Sequence, residues 1–136
     1  PMTVDGKKLD RFIEIVKELR SEEGCPWDKE QSPDSLRRYL KEETQESIEA
    51  ITANNPQHIK EELGDILYII VLLAQIYNER KLFNMGDILD SITEKMIRRH
   101  PHVFGEEKIE TVAELREKWL EIKDIEKSSS IKTKKN

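Results

Sequence analysis

The sequence predicts an all-α protein, and three observations carry that prediction. Apolar residues recur at helical spacing along most of the chain, no stretch alternates in the manner of a strand, and each break between periodic stretches carries helix-stopping or helix-starting residues. A bundle of about five helices in one domain, residues 1–127, accounts for the pattern, and the Ser/Lys-rich stretch 128–136 reads as a disordered basic tail.

Leu9, Phe12, Ile13, Val16 and Leu19 fall on one face of a first helix, from about Val4 to Ser21, which Gly24 and Pro26 stop. The stretch from Cys25 to Gln31 reads as a loop, in which Trp27 either plugs the core or belongs to a functional surface. Ser32-Pro33-Asp34 is a helix start, with a hydroxyl cap, proline in the first turn and an acid beside it, so a second helix runs from about Pro33 to Ala53. Asn54-Asn55-Pro56 turns the chain into a third helix that reaches about Arg80, and so short a link makes the two helices antiparallel.

From Ile66 to Tyr77 the third helix is apolar almost all round and must be covered on every side, for which a helical dimer is the economical arrangement. Asn84-Met85-Gly86-Asp87 opens a fourth helix with an inward stripe of Ile88, Leu89, Ile92 and Met96. The segment from His100 to Gly105 ends it as a turn in which Val103 and Phe104 pack. Thr111 and Glu114 form a capping box for the last helix, whose inward face holds Leu115, Trp119, Ile122 and Ile125.

Two acidic clusters stand out against this frame, Glu42-Glu43-x-x-Glu46 on the second helix and Glu62-x-x-Asp65 on the third. At about 100° per residue, Glu43 lies within the stripe formed by Leu36, Tyr39, Leu40, Ser47, Ala50 and Ile51, Glu46 lies at its edge and Glu42 points away. Glu62 and Asp65 align with Ile69, Leu73 and Ile76. Inward carboxylates cannot stay ionised and unpaired, so either metal ions or Lys/Arg partners must sit among them. All-oxygen donors without a Cys/His grouping suit Mg²⁺ or Mn²⁺ rather than zinc. Lys95 and Arg99, four residues apart, fall beside the fourth helix's apolar stripe and serve either as ion-pair partners or as phosphate contacts, whereas Arg98 points to the surface. Trp119, with Lys123 one turn beyond it, is either core or a platform for a nucleobase.

Charged residues make up 38% of the 136 and the net charge is -5, which argues against a protein that coats a nucleic-acid polymer. The longest apolar run, Ile66 to Ile76, is shorter than the roughly 18 residues of a membrane span, and no signal peptide is visible. One cysteine, Cys25, fits a reducing compartment, so a cytoplasmic location is expected.

The string Cys25-Pro26-Trp27-Asp28-Lys29-Glu30-Gln31, the two acidic clusters, the segment from Lys95 to Gly105 and the final Trp119-Leu120-Glu121-Ile122-Lys123 resemble the MazG family of nucleoside triphosphate pyrophosphohydrolases, from about Leu9 to Lys127. The resemblance implies an all-α bundle forming an intertwined dimer or higher homo-oligomer. It also implies Mg²⁺-dependent cleavage of a nucleoside triphosphate between the α and β phosphates, giving the monophosphate and pyrophosphate. It further implies Glu43, Glu46, Glu62 and Asp65 as metal ligands, Glu42 and Glu43 as catalytic acids, Lys95 and Arg99 as substrate contacts, and Trp119 and Lys123 around the base. The familiar bacterial relatives carry two such domains in tandem and this chain carries one. The competing expectation is a non-catalytic helical regulator that keeps the fold and binds nucleotide or protein without turnover.

Overall fold

The structure, a computed structural model, describes residues 3–129, which form seven α-helices: α1 (Val4–Leu19), α2 (Pro26–Glu30), α3 (Pro33–Ala53), α4 (Pro56–Glu79), α5 (Met85–Arg99), α6 (Pro101–Phe104) and α7 (Val112–Ser129). The five long helices are the five expected from periodicity. The tail assigned to 128–136 begins inside α7, which includes Ser128 and Ser129, and residues 130–136 lie outside the described residues.

The fold divides into two compact units after Gly86. In the first, α1, α3 and α4 share one core of Val16, Leu36, Ile69, Val71, Leu72 and Ile76, flanked by Phe12, Ile13, Tyr39, Leu40, Tyr68, Leu73 and Met85. Val16, Leu36, Val71 and Leu72 are sealed from solvent, and truncating any one of them to alanine costs about 2–5 kcal/mol, less for the valines. The α3–α4 pairing is the most extensive in the molecule. Its local causes were legible. The Ser32 and Ser35 hydroxyls each accept from the other's backbone N–H at the start of α3, and Asn54 ends the helix in the left-handed region at φ 58°. Asn55 caps α4 by accepting from the His58 N–H at 3.2 Å.

Two expectations fail in this unit. The stretch after Cys25 is a short helix rather than a loop, and its buried residue is Asp28, 4% exposed, while Trp27 is 37% exposed and packs edge-on against Tyr39 at 5.4 Å. A buried carboxylate needs a donor. Tyr68 supplies it by donating its hydroxyl to Asp28 Oδ1, and the buried acid in turn pushes the Tyr68 hydroxyl pKa up, together with desolvation, the larger cause. Arg20 Nη1 fastens α2 further by donating to the carbonyls of Asp28 at 2.6 Å and Gln31 at 3.2 Å, while its other nitrogens bind Glu79. Ile51, expected inward, is 56% exposed. It falls about 100° past Ala50 and so clears the seam with α4.

Gly24 closes the turn after α1. A Cβ there would lie 2.2 Å from the Leu19 carbonyl oxygen, which instead accepts from the Cys25 N–H at 2.8 Å. Gly64 sits mid-α4 with nothing within 4 Å of the place a Cβ would take.

In the second unit the capping box is present: Thr111 Oγ1 accepts from the Glu114 N–H at 3.1 Å and Glu114 Oε1 accepts from the Thr111 N–H at 3.2 Å. The expected turn after His100 is the single-turn helix α6, closed by bonds from the Val103 and Phe104 N–H groups to the His100 carbonyl. Val103 and Phe104 were expected to pack, but one helical turn pinned by its own backbone leaves both outward and exposed. The expected inward stripe of α5 is likewise uncovered within the unit, where Leu89, Ile92 and Met96 are exposed, and on α7 Ile122 is buried whereas Ile125 is not.

Candidate functional site

Helical spacing places Glu43 and Glu46 one turn apart on α3 and Glu62 and Asp65 one turn apart on α4, and the pairing of the two helices turns these carboxylates toward each other. One oxygen each from Glu43, Glu62 and Asp65 lies within 4.8 Å of the others. Glu62 is buried, Glu43 is half-buried, and Glu46 and Asp65 open to solvent. Glu46 stands outside the close trio, yet the Glu62 charge raises its pKa. Desolvation, followed by the charges of Glu46, Asp65 and Glu62, pushes Glu43 from 4.5 up to about 7.

The expectation left two ways to balance these acids, and the geometry of the first unit separates them. No Lys or Arg pairs with Glu43, Glu46, Glu62 or Asp65 among the described residues; Lys17, Arg20, Arg37 and Arg38 pair with other acids, Arg38 with the exposed Glu42 at 3.7 Å. The nearest basic partner is His58, whose Nε2 lies 3.0 Å from Glu62 Oε2. Glu43 Oε1 and Glu62 Oε1 are buried with no hydrogen-bond partner. Two orphaned carboxylate oxygens beside a third are a donor set that fits a hard divalent cation. His58 was missed at first, although its position four residues before Glu62 marks the shared face.

The second unit brings Arg99 and Trp119 together. Trp119 is half-buried, donates its indole Nε1–H to the Arg99 carbonyl at 2.6 Å, and meets His100 edge-on at 5.9 Å. Arg99 Nη2 binds Glu126 Oε1 at 3.0 Å, and Arg98, expected to be simple surface, binds the other oxygen of that carboxylate. The Arg99 and Arg98 guanidiniums, outweighing partial burial, hold Glu126 down at about 2. Lys95 is half-buried and Lys123 exposed, and neither has an ion pair among the described residues. Glu126 is not among the residues expected from the sequence; its signal is its spacing, three residues past Lys123 and seven past Trp119.

The fold and the site define a class of all-α chains in which two paired helices bring several carboxylates together. Within that class the chain belongs to the MazG family: residues 31–104 match the model of the MazG nucleotide pyrophosphohydrolase domain. It is 48% identical over 101 residues to the nucleoside triphosphate pyrophosphohydrolase/pyrophosphatase MazG of Thermotoga maritima, covering 74% of this chain and 40% of that protein. It is 44% identical over 123 residues to YabN of Bacillus subtilis, covering 90% of this chain and 25% of that one. The crystal structure of a mazG-related protein from Thermotoga maritima superposes with a TM-score of 0.70 at 32% identity, covering 85% of this chain and 98% of that one. The chain thus spans well under half the length of these two curated relatives.

Proposed function

We propose that the chain is a Mg²⁺-dependent nucleoside triphosphate pyrophosphohydrolase, with Glu43, Glu46, Glu62 and Asp65 holding the metal and Mn²⁺ as the alternative ion. The observation that carries this reading is the pair of buried, unpartnered oxygens on Glu43 and Glu62 beside Asp65, with no Lys or Arg paired to these acids among the described residues. The name of the Thermotoga maritima relative supports the same substrate class. A divalent cation held there supplies the positive charge that a triphosphate requires and Lewis acidity at phosphorus.

The reaction adds water across one bond. The water oxygen bonds to the α-phosphorus, the bridging α–β P–O bond breaks, and pyrophosphate departs with the electron pair. Glu42 is exposed, on the turn that carries Glu43, and serves as the acceptor for the water's proton. Lys95 and Arg99 are assigned to the phosphates, where fixed positive groups stabilise charge building on the leaving pyrophosphate. Trp119 and Lys123 are assigned to the base and its surroundings; stacking on an indole contributes about 1–3 kcal/mol.

The surface supports assembly. Ile48, Ile51, Leu63 and Leu67 of α3 and α4 are all exposed, and exposed aliphatic side chains on a helix pair are the kind of surface an interface covers. A homodimer or higher homo-oligomer covers them. No helix among the described residues is long and apolar enough to cross a membrane, and the cytoplasm is the proposed location.

The test is a panel of NTPs and dNTPs with Mg²⁺, read as phosphate after added inorganic pyrophosphatase. Turnover that chelator removes and Mg²⁺ restores is the expected result. Nucleotide binding with no pyrophosphate released would instead establish a non-catalytic regulator.

A further inference from the structure

Three groups in the second unit meet on one side of α7. Trp119 and Glu126 lie two turns apart on that helix with Lys123 between them, and both reach residue 99: the indole N–H binds the Arg99 carbonyl, and the carboxylate binds the Arg99 guanidinium. The Glu126 carboxylate takes two guanidiniums. Arg99 Nη2 donates to Oε1 at 3.0 Å and Nε approaches Oε2 at 3.5 Å, while Arg98 Nε donates to Oε2.

The stoichiometry matters. One arginine on one glutamate would cancel and offer nothing to an anion, whereas two arginines on one glutamate leave the cluster with net charge +1. The same carboxylate takes one edge of the Arg99 fork and leaves Nη1 outside the pair. A guanidinium held by one edge presents its remaining N–H groups in a set direction, which suits recognition of a planar or tetrahedral oxyanion. The side chain of Arg98 is 46% exposed, against 19% for Arg99. Arg98 balances the charge at the surface, while Arg99 is the one held in place.

We propose that Glu126 is a positioning residue that fixes the Arg99 guanidinium in the orientation in which it meets a phosphate of the nucleotide. This rests on the assignment of Arg99 as a phosphate contact. Glu126 touches no substrate atom and acts through Arg99. The two guanidiniums hold its carboxylate far below the usual carboxylate range, so it is ionised at neutral pH.

The test is calorimetric binding of the α,β-methylene analogues of the four common ribonucleoside triphosphates, with Mg²⁺, to the full chain. Charge-assisted hydrogen bonds of this kind correspond to about 10–100-fold in affinity. Arg99→Ala should weaken binding by about 30-fold, Glu126→Gln by about 10-fold and Glu126→Asp by about 3-fold. The double variant Arg99→Ala/Glu126→Gln should bind within about twofold of Arg99→Ala alone, because Glu126 has no route to the ligand except Arg99. In the hydrolysis assay Glu126→Gln should raise KM more than it lowers kcat.

Unchanged binding in Arg99→Ala, or no binding by the unsubstituted chain, would remove the underlying assignment. If Arg99→Ala is weakened and Glu126→Gln is not, or if the two losses add, the positioning role is wrong. Tighter binding by Glu126→Gln would mean that the carboxylate competes with phosphate for Arg99, and would also overturn it. If Glu126→Gln fails to fold, Glu126→Asp decides alone, and binding equal to or tighter than that of the unsubstituted chain ends the proposal.

Discussion

Glu43 and Glu126 are the same residue, each on a helix and each partly shielded from water, and their surroundings drive them in opposite directions. Around Glu43 stand three more carboxylates and no Lys or Arg partner, so its pKa climbs to about 7. Around Glu126 stand two guanidiniums, and its pKa falls to about 2. The first region is frustrated on its own and the second is satisfied on its own. Residues that are costly until something else binds mark a site that waits for its ligand, whereas an ion pair that satisfies itself holds a side chain in place, as Glu126 holds Arg99.

Removing one acid from each region separates the two roles. Glu62→Ala should lower pyrophosphate release on the order of 100-fold while circular dichroism still reports an intact helical fold. Near-normal turnover would mean that the crowded acids are not where the chemistry occurs. Divalent metal should act next most strongly, and on the first region alone: Mg²⁺ at 100 times its dissociation constant should stabilise the chain by about 2.7 kcal/mol. Thermal unfolding with and without chelator measures this, and Glu43→Gln should abolish most of the gain. Glu126→Ala is the complement. It should cost about 1–2 kcal/mol of stability, with Mg²⁺ binding unchanged by titration calorimetry.

The smallest effect, and the most specific, is in pH. Glu43 carries its proton in both folded and unfolded chains below 4.5; as pH rises from there to 7 the unfolded chain releases it first, so stability is lost over that interval. For Glu126 the sign reverses. Its contribution is complete above 4.5 and is lost as pH falls from 4.5 through about 2. A metal-free melting curve should therefore decline on both sides of about pH 4.5 for these two groups, and saturating Mg²⁺ should flatten only the neutral limb. A neutral limb unaffected by Mg²⁺ would detach Glu43 from the metal.

How much of this was legible in the sequence divides along the same line. Local chemistry fixes what local signals predict: Ser32 and Asn55 cap where the hydroxyl and amide rules put them, and the α3–α4 antiparallel pair follows from a two-residue link. The convergence of Glu43, Glu62 and Asp65 needed only helical periodicity and that pairing. What was missed depends on partners distant in the chain. The burial of Asp28 rather than Trp27 is decided by Tyr68, forty residues away, and the capture of Arg98 and Arg99 by Glu126, more than twenty-five residues on. Nothing near Asp28 in the chain marks Tyr68 as its partner, so a seven-residue stretch without long apolar periodicity reads as a loop, and the spacing of Glu126 from Lys123 and Trp119 marks its face of α7 but not the arginines it binds. Val103, Phe104 and the α5 stripe show a third kind of gap, because apolar character predicts that a face will be covered but not what covers it.

The two helix-associated glycines described above would fare differently in a saturation library. At Gly24 every other residue brings a Cβ into the Leu19 and Glu18 carbonyl oxygens, and relief would require opening the turn that ends α1. Variants at that position should vanish from any selection for soluble, folded protein. Gly64 meets nothing, lies between Glu62 and Asp65, and forgoes the roughly 1 kcal/mol that alanine adds to a helix interior. Substitutions there should pass a folding selection, with alanine enriched. If the same library is then sorted for hydrolysis and position 64 becomes depleted, the demand for glycine comes from whatever approaches the acidic helix face during turnover rather than from the fold.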